Sequence, residues 1–370
     1  MPSRKHSVRE GNITVINASF RISDRSIFRH LLRTARSLAI AGMLFIFGSF
    51  VPPKAKVEFR QDAANRKVEV YIGGKLFTAF IYPTDMEKSV LYPIHTASGK
   101  AITRGYPLAP RPFERTDHPH HVGLWLNFGD VNGLDFWNNS FAIKAEEKHR
   151  YGSVRFREIL SMDASKGRLV VASDWVDHKG TVLMTEETTY RFVGKAGIRS
   201  IERITKLTAV QAVTFKENKE GLIGLRLDRA FEEPSTKPER YLDANGVETA
   251  VPVMQNDGVN GVYRNAEGAR GGAVWGKRSP WVALRAQKEG EVITIAILDH
   301  PRNLNYPAWS HARGYGLFAT NNLGGRAFEP TAAEVRVPLG AGASLTFRHK
   351  ILIGGDMTDD DINKQAGTFR

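Results

Sequence analysis

The fold class is decided by Lys67-Val-Glu-Val-Tyr-Ile72, followed by Gly73-Gly74 and then by Leu76-Phe-Thr-Ala-Phe-Ile81. The first run alternates polar and apolar residues, which is the period of a β-strand with one buried face. The glycine pair permits a tight two-residue turn, so we expect a β-hairpin. Farther along, Arg199-Ser-Ile-Glu-Arg-Ile-Thr-Lys-Leu207 alternates in the same way. Such alternation is typical of an antiparallel sheet with one solvated face.

The same pattern recurs along most of the chain. Further strand candidates are Ser153–Leu160, Arg168–Asp177, Val182–Val193, Gly221–Leu227, Trp281–Gln287, Val292–Asp299, Gly314–Thr320 and Leu345–Ile353. Helical periodicity is nearly absent, although Thr358–Gln365 could form one short capped helix. We therefore predict an all-β fold, a large antiparallel β-sandwich with few helices. It would form a single domain over residues 56–357, with a C-terminal tail at 358–370. Two long stretches, Asp85–Phe141 and Asp228–Lys277, resist strand assignment, and such loops often carry function.

Composition and charge narrow the class of protein. The 370 residues include no Cys, which excludes disulfides, thiolate metal sites and Cys nucleophiles. The net charge of +13 is uneven, because residues 1–50 carry +6 and the remainder carries +7. A nucleic-acid partner is therefore not predicted.

The basic N-terminal stretch precedes an uncharged run of 14 residues, Leu38–Val51. A basic segment followed by a short apolar run is typical of an export signal, and a spanning helix needs roughly 20 apolar residues. We predict that residues 1–55 are an export signal or an uncleaved anchor, a buried helix being the remaining alternative. The domain would then lie in the periplasm or cell envelope and contact a membrane only through this segment.

Chemistry-bearing residues are densest between Arg115 and Trp137. This segment contains His118, His120 and His121, the acids Asp117, Asp130 and Asp135, and the indoles Trp125 and Trp137. In an extended chain His118 and His120 would share a face while His121 points to the other. Imidazole can move protons near neutral pH or bind a metal, and Trp rings suit the apolar faces of sugars. The alternative is that these residues are core and turn positions.

Two further clusters follow. Lys219 and Glu220 precede an apolar strand, where they could act as acid, base or clamp, or form a surface ion pair. Asp299-His300-Pro301 ends another strand, and His311, Arg313 and Tyr315 are spaced to alternate onto one face of the next. That face could recognise an oxygen-rich substrate, or form a buried polar network that braces a loop.

Several motifs resemble one family. They are Ser98-Gly-Lys-Ala-Ile-Thr-Arg-Gly105, Asp117-His-Pro-His-His121, Gly129-Asp-Val-Asn-Gly133, Asn218-Lys-Glu-Gly221, Trp275-Gly-Lys277, Asp299-His-Pro301 and His311-Ala-Arg-Gly-Tyr-Gly-Leu-Phe318. Over roughly residues 57–354 the chain is similar to the bacterial domain of unknown function labelled PmoA-like, or methane oxygenase PmoA. Methane monooxygenase subunits span the membrane several times, and this chain has no such segments after its N-terminus, so we reject that activity.

The resemblance implies an exported, carbohydrate-related protein with a fold like the galactose-mutarotase-like supersandwich. The positions carried over as site residues are Arg104, His118, His120, His121, Asp130, Lys219, Glu220, His300, His311, Arg313 and Asn321. Val122 departs from the family pattern, in which a basic residue follows the double His.

Two functions remain open. The first is an enzyme acting on a saccharide or an oxidised saccharide, with His120, His121, Glu220 and His311 as acid–base groups. Substrate would be held by Arg104, His118, Trp125, Asp130, Trp137, Lys219, His300, Arg313 and Asn321. The His-rich clusters favour elimination or epimerisation over hydrolysis, which needs paired carboxylates. No metal site or cofactor is predicted, although a divalent metal held by His and carboxylate is an open alternative. The second function is a non-catalytic glycan-binding envelope protein.

Overall fold

Antiparallel strands form almost all the regular structure in residues 54–251 and 255–370, which a computed structural model of the chain describes. In chain order the strands are β1 Val57–Asp62, β2 Lys67–Ile72, β3 Lys75–Ile81, β4 Val90–Ile94, β5 Leu124–Leu126, β6 Ser153–Asp163, β7 Arg168–Val176, β8 Val182–Lys195, β9 Ile198–Ala209, β10 Val213–Lys216, β11 Ile223–Arg226, β12 Glu239–Leu242, β13 Glu248–Val251, β14 Val262–Asn265, β15 Trp281–Lys288, β16 Glu291–Asp299, β17 Trp309–Ser310, β18 Leu317–Asn321, β19 Arg336–Leu339 and β20 Ser344–Gly354. The predicted hairpin is the pair β2–β3.

Two eight-stranded sheets contain most of these strands. The first has the order β1-β2-β3-β4-β5-β11-β18-β17 and the second the order β14-β15-β16-β20-β9-β8-β7-β6. Apolar side chains of both sheets, such as Val70 and Phe80 of the first and Phe192 and Ile295 of the second, belong to one buried cluster. Facing sheets that share an apolar core form a β-sandwich. The prediction of an all-β fold built on a large antiparallel sandwich is confirmed.

Helices are few, as predicted. In the described part of the chain the regular helices are α1 (Asp359–Gly367) and five short 3-10 turns at Ala145–Arg150, Ala164–Lys166, Arg229–Phe231, Gly271–Val274 and Gly325–Ala327. The Thr358 side chain caps α1 by accepting the Asp361 amide at 3.2 Å. A capping box of this kind satisfies amides that the first helical turn leaves unpaired. The helix lies where the sequence predicts one.

The two long segments without strand signals are only partly irregular. The first contains β4 and β5, and the second contains β12, β13 and β14. These strands have three to five residues, which is too short for an alternating pattern to stand out. The proposed domain boundaries stay a prediction, and nearly all of the predicted N-terminal signal lies outside the described residues. Over residues 54–251 and 255–370, no helix has both the length and the apolar character needed to span a membrane.

Candidate functional site

The candidate site lies on the outward face of the first sheet. Strand β11 pairs with β5 on one side and with β18 on the other, so Trp125, Gly224 and Ala319 form one row. Because side chains alternate along a strand, Leu124 joins the core between the sheets. Trp125 and Ala319 join a separate cluster that contains Trp137. This second cluster forms the floor beneath the His-rich segment.

The three neighbouring histidines pack together around one turn. His118 has φ 46°, and its carbonyl oxygen accepts the His121 amide at 3.0 Å. The His118 ring stacks on His121 at 4.8 Å and on Tyr315 at 4.9 Å, with each pair of planes nearly parallel. The His120 ring meets His121 edge to face at 4.3 Å. The turn replaces the extended chain considered above, so all three rings lie in one cluster.

Two buried guanidinium groups share one carboxylate below this cluster. Asp117 Oδ1 accepts from Arg104 Nη1 at 2.7 Å and from Arg226 Nη2 at 2.5 Å. Arg104 also donates to the carbonyl oxygens of Asp117, His118 and His121, which fixes the turn. Burial favours the neutral form of Asp117. The pKa of Asp117 nevertheless lies well below its usual range, because the charge of Arg226, the hydrogen bond from His118 and the charge of Arg104 together outweigh burial.

His121 is held as a neutral hydrogen-bond donor. Its Nδ1 lies 3.3 Å from Nη1 of Arg226, and a guanidinium can only donate. The ring proton therefore resides on Nε2, a buried atom with no hydrogen-bond partner among the described residues. Burial, followed by His120 and Arg226, lowers the pKa of His121 well below the ordinary value. His121 is therefore better suited to donate a hydrogen bond to an oxygen than to act as a base.

A cavity of about 300 Å³ opens beside His120. Its walls are Asp85, Met86, Glu87, Lys88, Pro107, Leu108, Pro119, His120, Val122, Asn139, Ser140 and Phe141. His120 Nε2 is buried and, among the described residues, has no hydrogen-bond partner. Burial, followed by the charge of Lys88, lowers the pKa of His120 well below its ordinary value. A neutral imidazole at a cavity wall can accept a proton from a bound molecule.

Lys88 is a cavity residue that sequence reasoning missed. Its side chain is buried, and burial lowers its pKa to about 7, while Asp135 and Glu87 act in the opposite direction. Neighbouring Glu87 is already paired, because it accepts from Lys148, Arg155 and Ser153. Lys88 precedes an apolar strand, where a lysine usually faces solvent, so no pattern in the sequence distinguishes it from a surface residue.

A second polar group lies beside Trp137. The His311 ring is 6.3 Å from that of Trp137, and burial lowers the pKa of His311 to about 4, opposed by the Glu220 carboxylate. Glu220 pairs with Lys219 at 2.6 Å. Asn321 donates to the Lys219 carbonyl oxygen at 3.2 Å and so braces this loop. Among the predicted acid–base residues, Glu220 and His311 lie here and not at the cavity wall.

Two expectations about the third cluster need correction. The backbone turns between Arg313 and Leu317, so His311, Arg313 and Tyr315 do not alternate on one strand face. Arg313 lies 4.5 Å above the Trp275 ring, whereas Tyr315 stacks on the histidine cluster. Tyr315 therefore joins the site through its ring and Arg313 does not.

Two other predicted site residues lie in local structure away from the cavity. His300 accepts the Arg302 amide at 3.0 Å and meets the ring of Phe369 edge-on at 4.8 Å, near the C-terminal helix. Asp130 accepts the Gly133 amide at 2.9 Å, which is the turn role that the sequence left as its alternative. Trp125 and Trp137 are fully buried, so they form the floor of the site and no open platform.

The sequence left a divalent metal held by His and carboxylate as an open alternative. Over residues 54–251 and 255–370, no three His, Asp or Glu side chains are grouped so as to hold an ion. Nδ1 of His121 is already occupied by Arg226. A metal site needs its donor atoms to converge.

Comparison with known proteins identifies a family whose function is unknown. A model described as "Family of unknown function (DUF6807)" matches residues 67–367. That description does not include the PmoA-like label. The chain matches no curated protein.

Several solved structures are similar to the chain at low identity. Slr1438 from Synechocystis sp. PCC 6803 is 11% identical, with a TM-score of 0.31, over 83% of this chain and 98% of that one. A galactose mutarotase-like protein from Clostridium acetobutylicum is 8% identical, with a TM-score of 0.30, over 82% and 99%. The GH36 α-galactosidase AgaA from Geobacillus stearothermophilus, in complex with raffinose, is 11% identical, with a TM-score of 0.36. The likeness to AgaA covers 81% of this chain and 41% of AgaA. With TM-scores below 0.5, these matches carry no argument about substrate or reaction.

Proposed function

The chain belongs to the family of unknown function DUF6807, and we propose that it is an exported enzyme acting on a saccharide or an oxidised saccharide. The observation that carries this proposal is the cavity beside His120, where a buried neutral imidazole and a buried amine line one wall. Perturbed titratable groups in a concave site are typical of acid–base catalysis. The PmoA-like name remains a prediction from the sequence, and methane oxidation forms no part of this proposal.

The shape and lining of the cavity support a single sugar ring as ligand. A volume of about 300 Å³ lies at the small end of ligand pockets. Phe141 and Leu108 form its exposed apolar edge, and Lys88, His120 and Ser140 supply polar groups. An apolar edge together with hydrogen-bonding groups is complementary to a pyranose, which has both kinds of surface.

The acids at the cavity favour elimination or epimerisation over hydrolysis. Hydrolysis of a glycoside uses two carboxyl groups that converge on the scissile bond. Here both Glu87 oxygens are occupied by Lys148, Arg155 and Ser153, and Asp85 lies exposed at the rim. His120 would instead remove a proton from a carbon of the sugar. The donor N–H of His121 is close by in the same cluster, where it could bind an oxygen.

The test is a panel of glycosides and 3-keto-glycosides in deuterated water, with and without chelator. Proton removal from carbon places deuterium in recovered substrate or product, whereas hydrolysis of a glycosidic bond does not. We expect deuterium incorporation by the native chain and a loss of roughly 10²–10⁴-fold in kcat for His120→Gln. His149→Gln is the matched control, because His149 is exposed. Glycan binding without any turnover would favour the non-catalytic alternative.

Export is a separate part of the proposal and rests on the sequence alone. The basic stretch before Leu38–Val51 and the uncharged run itself have the order of a signal peptide. Expression of the full chain in a bacterial host, followed by fractionation and N-terminal sequencing, tests it. A periplasmic product that starts near residue 55 supports a cleaved signal. Retention of the whole chain in the cytoplasm would contradict export.

A further inference from the structure

Lys88 is a buried amine that makes no direct ion pair among the described residues. Its side chain is 5% exposed, and Nζ donates to the carbonyl oxygen of Trp137 at 3.3 Å. Nζ also lies 5.1 Å from the centre of the Trp125 ring, within the range of a cation–π contact. In the described part of the chain no carboxylate lies within 4.0 Å of this nitrogen. Burying a lysine costs free energy, so its position calls for a role.

The position of Lys88 at the cavity indicates what that role is. Lys88 and His120 line the same cavity, and the positive charge of Lys88 acts on the titration of His120. The cavity is also lined by the apolar residues Met86, Pro119 and Val122. A nucleophilic amine next to a proton acceptor in a partly desolvated cavity is the arrangement used for imine chemistry.

We propose that Lys88 is a nucleophile that forms an imine with the carbonyl group of an oxidised saccharide, with His120 moving the proton on the neighbouring carbon. This inference rests on the proposed function and narrows its substrate class to sugars that carry a ketone or aldehyde. It adds a covalent intermediate to the acid–base chemistry described above.

The step balances without any further reactant. The neutral Lys88 amine adds to the carbonyl carbon and a C–N bond forms. The carbonyl oxygen leaves as water with the two amine protons, and one proton taken up from solvent gives the protonated imine. His120 Nε2 then takes the proton from the adjacent carbon, whose electron pair moves into the iminium to form an enamine. Return of the proton to the opposite face gives an epimer. Alternatively, the enamine expels a β-substituent, which leaves with the electron pair of its bond and takes the proton held by His120, to give an elimination product. Water then hydrolyses the imine and restores the lysine.

The protonation state of Lys88 agrees with this role. Only the neutral amine is a nucleophile, and burial lowers the pKa of Lys88 to about 7. A substantial fraction of the molecules would then carry a reactive amine at neutral pH. An exposed lysine with an ordinary pKa would be almost wholly protonated there.

Reductive trapping tests the proposal on the full chain. The protein is incubated with methyl 3-keto-glucopyranoside, or with dihydroxyacetone as a small ketone that needs no sugar recognition, in the presence of cyanoborohydride. Peptide mapping by mass spectrometry then locates the reduced adduct. We expect modification of Lys88 at a rate at least tenfold above that of the exposed lysines, rising as the pH passes 7. Lys88→Met should lack this adduct, and the control Lys144→Met should keep it, because Lys144 is exposed.

The outcomes separate this inference from the function on which it rests. Adducts confined to exposed lysines, or no adduct at Lys88 with either ketone, would overturn the imine. Deuterium incorporation by His120 could still occur in that case, and the proposed acid–base function would stand. Circular dichroism and a thermal melt of Lys88→Met confirm that loss of the adduct is not loss of the fold.

Discussion

The Nζ of Lys88 lies 5.1 Å from the centre of the Trp125 ring, and both side chains are buried. Lys88 precedes β4 and Trp125 lies in β5, strands that pair at Leu91 and Leu124. The indole face offers weak electrostatic compensation for a charge, much less than a carboxylate would. Native packing therefore favours the neutral amine.

The burial of Lys88 makes the stability of the protein depend on pH. The unfolded chain keeps Lys88 protonated up to about pH 10.5, whereas the folded chain releases the proton near pH 7. Between these values the unfolded state binds more protons, so the free energy of unfolding rises with pH. The shift corresponds to a rise of at most about 5 kcal/mol, at roughly 1.4 kcal/mol per pKa unit.

Urea unfolding of the wild type and of Lys88→Met between pH 7 and 9.5 tests this prediction by measuring the free energy of unfolding at each pH. The rise in unfolding free energy should be smaller in the variant by a few kcal/mol. Lys144→Met changes an exposed lysine and should follow the wild-type curve. Parallel curves for Lys88→Met and wild type would show that Lys88 keeps an ordinary pKa.

Asp117→Asn should destabilise the site strongly. The substitution leaves Arg104 and Arg226 buried, with side chains 1% and 0% exposed, without their shared carboxylate. Removal of one partner of a buried ion pair typically costs about 3–5 kcal/mol. Urea unfolding measures this cost. Asp360→Asn is the control, because Asp360 is exposed, and it should change stability by less than about 1 kcal/mol. Equal effects of the two substitutions would mean that the shared carboxylate contributes little.

Gly224→Ala should displace the floor of the site. A Cβ on Gly224 would lie 2.5 Å from Cζ2 of Trp125, so the indole would have to move. Overpacking of this kind typically costs about 1–3 kcal/mol. Thermal unfolding and tryptophan fluorescence report the change. Gly340→Ala is the matched control, because a Cβ there meets no atom within 4 Å. An unchanged melting temperature for Gly224→Ala would show that the floor is loosely packed.

Glu220→Gln should lower the pKa of His311 further. Burial sets that pKa at about 4, and the Glu220 carboxylate raises it by stabilising the imidazolium. Without this charge the protonated ring is less stable. NMR titration of protein labelled at histidine measures the effect, with Glu146→Gln as a control on an exposed carboxylate. If the pKa of His311 in Glu220→Gln equals the wild-type value, the Glu220 carboxylate has no electrostatic effect on His311.

Period-two alternation was sufficient to predict the sandwich. The hairpin at residues 67–81 and the long strand Ile198–Ala209 each bury one face, and this burial is what their sequences encode. Short strands were missed. Leu124–Leu126 has three residues and is wholly buried, so no alternation distinguishes it from a loop.

The site was predictable where its residues are neighbours in sequence. His118, His120 and His121 could be found together because one turn contains them. Lys88 could not, because its burial depends on Trp125 and Trp137, which lie in other segments. His300 shows the converse, since a family motif placed it in the site and the fold places it beside Phe369. A resemblance between motifs identifies the residue types at each position, but it does not give the distances between those residues in the folded chain.

The pairing of β11 with both β5 and β18 has a consequence for fragments of the chain. These strands are about 100 residues apart along the chain, at Leu124–Leu126, Ile223–Arg226 and Leu317–Asn321. Contacts between such distant segments require the closure of long loops, which is slow and occurs when most of the chain is in place. No contiguous half of the chain contains all three strands. An intact site would therefore report completed folding, and a proteolytic cut between β5 and β18 that separates these strands would disrupt the site.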